Sequence, residues 1–577
     1  MNKTLLLAKT LFGRFFETDL MPPGLPQVQL VIWSMVLLAS PGLLLPVEFV
    51  AKYHNMQRTQ PVAVLVRAML VDRLLFITMT MTAIGLVALV IWDGIFPDRR
   101  DARILGALPI PGRVLIVARL LALSALAGIF LAGINLIPSV VFGTTIGAFG
   151  GARNALLGIV AHLIATTCAG VFVFSSLVAL QGCFLNIGGR RTSERIAPLL
   201  QVLFVMALLQ MVFFSPRMSG LLSQDLRSPW LLALPSAWFL GLYDVIGGTP
   251  VAGAARLAGI ATLATLASTG LATVLFAGTH ARLTRLAIES QETSRGRRRV
   301  VAKLLDGLTK IAAPHPVSRA IFEFTLRSLA RSRSHRLLVA AYVGVAAALV
   351  VSAIVPAILR SGASAFATPS ASVLSAPLVL GFFLLVGTRV GLAIPVEPRA
   401  NWVFRLREPV DRAHAISGVR SALIVSGVVP MVVVAAITAG MFWGPAVALV
   451  HAGFCALMGW LLVEILLMRF DKLPFTCTYF PGKSRVGLLW PLYLQGFIAY
   501  CYTSAAAEVR LLQHPVGFAR ALHVITAVIV VLTVLRHRRL KELLAFRFQE
   551  EDPASLFAGF QLSEGLAAVP QHDRRLH

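Results

Sequence analysis

Charge is scarce in this chain, and negative charge is scarcer still. Only 14% of the 577 residues are Asp, Glu, Lys or Arg, and the 26 acids face 52 lysines and arginines. With 57% hydrophobic residues and a mean hydropathy of +0.79, that shortage excludes both an ordinary soluble domain and a disordered chain. Cysteine is rarer again. Cys168, Cys183, Cys455, Cys477 and Cys501 form no C-x-x-C and lie mostly in apolar stretches, as small buried hydrophobes rather than a disulfide framework or a metal site. No H-E-x-x-H, no G-x-S-x-G and no Asp/Glu/His cluster with metal spacing occurs. Gly482-Lys483-Ser484 ends like a phosphate-binding loop, but Cys477 stands where the first glycine is required. Nucleotide hydrolysis is therefore not expected of this polypeptide.

What the chain has is long apolar runs. Runs of about 20 residues or more, enough to span a bilayer, occur at 28–50, 74–96, 115–141, 155–187, 196–215 and 252–278. A second set occurs at 335–358, 373–395, 416–443, 446–468, 486–506 and 516–535. The expectation is an all-α polytopic membrane protein with about 12 transmembrane helices in two six-helix halves. The units are 1–278, a linker 279–334, 335–535 and a tail 536–577. The run 155–187 exceeds one span and is expected to project from the membrane or to break near Gly170.

The net charge of +26 does not point to nucleic acid, because the basic residues cluster between apolar runs. They place both termini, the linker and the Arg99–Arg113 and Arg399–Arg412 segments in the cytoplasm, across an inner (plasma) membrane. One loop disagrees. Residues 51–73 fall outside by this count yet carry Lys52, Arg58, Arg67 and Arg73. Either the loop is an exception to the rule, or part of it packs as a tilted helix extending the second span.

Two cytoplasmic segments share one design. In the first, Asp98 is placed to cap a short helix. Ile104, Leu105 and Leu108 fall on one face, with Arg99, Arg100 and Arg103 mostly off it, and Pro109 and Pro111-Gly112 end the helix. In the second, Trp402, Val403 and Leu406 repeat the apolar spacing among Arg399, Arg405 and Arg407, and Pro409 ends it. Met1–Leu20 ahead of the first span is amphipathic rather than a cleavable signal. Pro316–Arg333 ahead of the seventh is expected to be helical, with Phe322, Leu326 and Leu329 on one face and charge pairs among Arg319, Glu323 and Arg327. Both read as interfacial helices on membrane lipid.

The segment Asp98-Arg99-Arg100-Asp101 … Ile104-Leu105 … Leu108-Pro109-Ile110-Pro111 … Arg113 … Ala118-Arg119-Leu120-Leu121 resembles the permeases of ABC-2-type export systems. Leu234-Pro235-Ser236-Ala237-Trp238-Phe239 with Gly241-Leu242 resembles that family's outer region between the fifth and sixth spans, whereas 507–515 lacks this feature. The resemblance implies an exporter permease working by alternating access. ATPase subunits would bind the cytoplasmic face and supply ATP hydrolysis, and the permease would bind no cofactor. The coupling helices would carry Arg99, Arg100, Arg103, Leu105 and Leu108, and Arg399, Trp402, Arg405 and Leu406. A secondary transporter with internal repeats and a non-transporting scaffold are the alternatives.

Ion-coupled transport needs ionisable groups near the bilayer midplane. Glu464 is the leading candidate, but its place near the cytoplasmic end of its span suggests an ion pair in the neighbourhood of Arg469. His162 and His451 fall toward the outer ends, and Arg389 is near enough to the inner end to snorkel. Lys472–Lys483, with two prolines and three aromatics, reads as an ordered turn at the inner surface, either a rigid belt or a partner contact.

Overall fold

The computed structural model describes residues 3–15, 45, 48–97, 108–147, 152–215, 226–248, 251–289, 309, 312–394, 412–470, 472–476 and 486–542. Among these residues there is no strand, and ten helices are long and apolar enough to cross a membrane. The chain is a helical, multi-pass membrane protein. The first expected span lies mostly outside the described residues. The expected span 486–506 is helical, running from Val486 through a π-turn at Ala499–Thr503 into Ser504–Leu511, and is not among the ten.

In chain order the elements are α1 (Lys3–Arg14), α2 (Val62–Val90), α3 (Gly112–Gly147), α4 (Arg153–Gly189), α5 (Ile196–Phe214), α6 (Pro235–Ile246) and α7 (Ala254–Glu289). They continue as α8 (Pro316–Arg331), α9 (Arg333–Ser361), α10 (Ala371–Gly391), α11 (Arg412–Trp443), α12 (Pro445–Leu467), α13 (Val486–Ile498), α14 (Ser504–Leu511) and α15 (Pro515–Glu542). The spans lack a hydrophobic stripe because lipid and protein interior are both apolar, so packing rather than amphipathicity sets which face is buried. α1 and α8 are the amphipathic exceptions. α1 buries Leu11 against α3, and α8 buries Ile321, Phe322 and Thr325 against α11. The expected Glu323–Arg327 pair forms at 3.0 Å.

Of the two expectations for the long run 155–187, the break near Gly170 is not found. The helix passes through Gly170 unbroken, and a Cβ there would lie 2.4 Å from Leu131 Cδ2, so Gly170 lets α3 and α4 approach. The break falls at Gly189, whose φ of 67° and ψ of 173° turn the chain from α4 into α5. α11 contains a π-turn at Ile424–Val428 just ahead of Pro430, which has no N–H to continue the ladder.

Buried apolar side chains form two large clusters. One is drawn from α1 to α7 and includes Trp92, Phe130, Phe239 and Phe276. The other is drawn from α8 to α15 and includes Leu385, Met431, Phe454 and Phe475. α9 crosses between them. Gly344 on α9 lies so close to α5 that a Cβ there would come within 2.9 Å of Val205 Cγ1.

Candidate functional site

Most residues of the two expected coupling helices, Arg99, Arg100, Arg103 and Leu105, and Arg399, Trp402, Arg405 and Leu406, lie outside the described residues. Leu108, at the end of the first segment, is exposed. What is described is how both segments are held at their ends. In the first, Arg119 of α3 is buried and donates through Nη2 to the carbonyls of Gly94 (2.8 Å) and Phe96 (3.2 Å), while Phe15, just past α1, packs by Gly94. In the second, His335 Nε2 meets the Ile394 carbonyl at 3.1 Å, Ser318 Oγ donates to the His414 carbonyl (2.7 Å) and Ser421 Oγ to that of Ala312 (2.7 Å). Residues 472–476 fold inward here: Phe475, at φ 64°, donates its N–H to the Leu392 carbonyl and buries its ring beside Phe324 and His335. The described part of that loop is thus packed into the core.

At the same end, Glu464 is fully buried on α12. Its Oε2 accepts from Arg536 Nε of α15 at 2.9 Å, and its Oε1 accepts from Trp460 Nε1 at 3.2 Å. Arg420 Nε of α11 lies 2.9 Å from Oε1, an ion-pair contact without hydrogen-bond alignment, and its guanidinium stacks 4.9 Å above the Trp460 ring. The carboxylate therefore ties three spans together, and its ion-pair partners among the described residues are Arg420 and Arg536. Arg389 is also anchored, donating to the Leu466 carbonyl at 3.1 Å and stacking on Phe470 at 4.4 Å.

The opposite end holds charges that hydropathy could not place. Asp72 is buried and accepts from Lys52 Nζ (2.7 and 2.9 Å) and from Tyr53 OH (2.7 Å), and burial beside this carboxylate pushes the Tyr53 hydroxyl up. Arg73 Nη1 donates to Asp244 Oδ1 of α6 at 2.6 Å and its guanidinium lies 4.8 Å over the Tyr243 ring. This explains the basic loop 51–73. Lys52 and Arg73 are neutralised by acids, and α2 extends back to Val62, so much of that loop is the extended second span. Arg58 and Arg67 are exposed.

Next to this pair, the His162 ring packs against Phe76, Phe142 and Tyr243, and its Nδ1 has no partner among the described residues. In α12 and α14 a similar juxtaposition recurs: buried His451 Nδ1 lies 2.9 Å from Glu508 Oε1. Glu508 is in a helix that continues to Leu511, so the loop expected at 507–515 is shorter still. His451 stood out in the sequence, whereas Glu508 showed only as a lone acid after Ala505-Ala506-Ala507. Among the described residues no group of His, Cys, Asp and Glu is arranged to hold a metal.

Burial pushes the Asp244 carboxyl up to about 6 from 3.8, against the pull of Arg73, and its Oδ2 has no partner among the described residues. A folded value above the unfolded one means the contribution to stability is present below the unfolded value and is lost as pH rises through about 6. The shift corresponds to about 3 kcal/mol. Relative to an Asp244→Asn variant, which fixes the neutral form, the wild type should lose thermal stability between about pH 4 and pH 6 and then level off. Melting curves of the two proteins in one detergent check this; a difference that does not vary with pH defeats it.

No protein-family model, curated protein or solved structure matches this chain.

Proposed function

We propose that the chain is the membrane-spanning permease of an ATP-driven exporter of the ABC-2 type, with two six-span halves in one polypeptide and about 12 spans in all. The observation that carries the reading is a recurrence. α1 packs on α3 and α8 packs on α11, and in the sequence a short basic, proline-ended stretch precedes each of α3 and α11. Arg119 and Arg420 occupy like places, about two turns into α3 and α11. ATPase subunits dock at this end, which is cytoplasmic, and their closure is transmitted through the two short helices. The chain supplies no nucleotide-binding loop, so ATP is bound and hydrolysed by the partner. The buried carboxylates sit toward the ends of the bundle, already paired, which supports this reading over an ion-coupled transporter.

The orientation has its own prediction. In intact cells, cysteines introduced at Ser294 and Ala554 should be shielded from a membrane-impermeant thiol reagent, and one at Ser223 should react. Labelling of Ser294→Cys from outside overturns the arrangement. The functional reading is tested by whether cysteines at Ala102 and Ala400 cross-link to an ATPase subunit in native membranes. Cross-links to no cytoplasmic protein would move the secondary-transporter and scaffold alternatives ahead.

A further inference from the structure

α3 and α7 both pack on α4 but diverge from each other, and α4 forms the floor of the gap. The gap is a cavity of about 680 Å³, partly open at its side. Its walls include Leu123, Leu131, Val171, Phe174 and Ala272, and no charged side chain lines it. Two of the five hydroxyls that line it are turned back on the protein. Ser175 Oγ bonds the Val171 carbonyl (2.7 Å) and Ser268 Oγ (2.8 Å), and Thr273 Oγ1 bonds the Thr269 carbonyl (2.8 Å).

Both helices carry exposed apolar side chains, Leu121, Ile129 and Leu136 on α3 and Leu266, Leu271 and Val274 on α7, and Leu136 also lines the gap. These residues lie within two spans, so the medium at the opening is bilayer hydrocarbon. From Leu120 to Leu136 the groove follows α3 for about 24 Å. That exceeds the ~15 Å half-thickness of a bilayer hydrocarbon core. Gly128 sits on the wall, and a Cβ built there meets nothing within 4 Å, so the space beside it is open rather than filled by a neighbouring helix.

We infer that this groove is a binding site for a hydrocarbon chain, namely the acyl chain of a bilayer phospholipid entering sideways between α3 and α7. Chain length, apolar walls and lateral opening all match that one occupant. Burial in a protein groove replaces contact with other lipid tails, so selectivity comes from shape and from excluding a bulkier or polar guest. The site is independent of the exporter reading.

The test uses the full chain in nanodiscs containing a phosphatidylglycerol with a photoactivatable diazirine in its acyl chain. Cross-links should concentrate on peptides covering 120–136 and 163–178, and excess unlabelled phosphatidylglycerol should compete them away. Gly128→Trp, which fills the open space, should cut groove cross-links about tenfold. Labelling of the outward face of α15, at Val524 and Val531, should not change and serves as the folding control. Cys168 lines the groove and gives a second readout without any substitution. In delipidated protein, its alkylation by N-ethylmaleimide should slow when phosphatidylglycerol is added, while Cys183, which is not in the lining, keeps its rate. Groove labelling no denser than that of α15, or equal protection of both cysteines, overturns the site. Cross-links from the groove to another protein in native membranes overturn it too.

Discussion

Replacing Glu464 with alanine is expected to destabilise the protein by about 3–5 kcal/mol. The carboxylate is buried between two guanidiniums, Arg420 and Arg536, from two other spans. Removing it leaves both cations without their counter-charge in a low-dielectric setting and unsatisfies the Trp460 indole N–H. Glu464→Gln keeps an acceptor for Trp460 and Arg536 but not the charge, so its loss should be intermediate. Replacing the whole set, Arg420→Met with Glu464→Leu and Arg536→Met, removes the desolvation cost together with the attraction and should recover most of the stability. Denaturant midpoints of the four proteins in one detergent decide it. A midpoint for Glu464→Ala equal to that of the wild type would mean that the clamp contributes nothing. A triple variant no better than the single one would mean that the loss comes from packing rather than from unpaired charge.

The helical class and most of the spans were legible in the sequence because a bilayer demands long apolar runs, and a run is a local property. The two amphipathic helices α1 and α8 were legible for a similar reason, since Leu11 and Phe322 sit on faces set by a 3.6-residue period. Partnerships were not legible. Glu464 finds Arg420 and Arg536, tens of residues away in either direction, and no window that averages neighbours reports which distant helix faces which. Asp72 and Asp244 were hidden by the same averaging. Their consequence was visible, as an excess of positive charge in a segment expected outside, but its resolution by Lys52–Asp72 and Arg73–Asp244 needed the fold. Glycines misled in a different way. Gly170 and Gly189 look alike in sequence, yet one admits Leu131 and the other turns the chain, because a missing side chain serves close packing and positive φ equally well.

Leu105→Ala and Trp402→Ala are expected to leave insertion and abundance near normal and to uncouple transport from ATP hydrolysis. An amphipathic helix between spans has two uses, floating on headgroups or seating in a cleft of a partner, and these differ in what the apolar face needs. A lipid-facing helix tolerates any apolar residue and weakens in proportion to lost area, about 25 cal/mol per Å². A helix in a protein cleft depends on shape, and a few central side chains carry most of the binding. In the sequence pattern Leu105 and Trp402 are the central large residues of the expected faces, and both fall between the expected spans. The anchors on either side, Arg119 on the Gly94 and Phe96 carbonyls and His335 on the Ile394 carbonyl, belong to the membrane bundle and stay intact in both variants. The spans therefore keep their packing while the segments lose their grip. Substrate flux per ATP hydrolysed should fall by an order of magnitude or more, since losing a central contact costs about 2 kcal/mol or more. ATPase turnover of the complex should persist. Cysteines at Ala102 and Ala400 should each cross-link to one copy of the ATPase subunit in the wild-type background, and Leu105→Ala and Trp402→Ala should weaken the cross-link of their own segment only. Normal flux in both variants, with no cross-link to any cytoplasmic protein, would make the two segments lipid anchors and remove the mechanical link that an ATP-driven exporter requires.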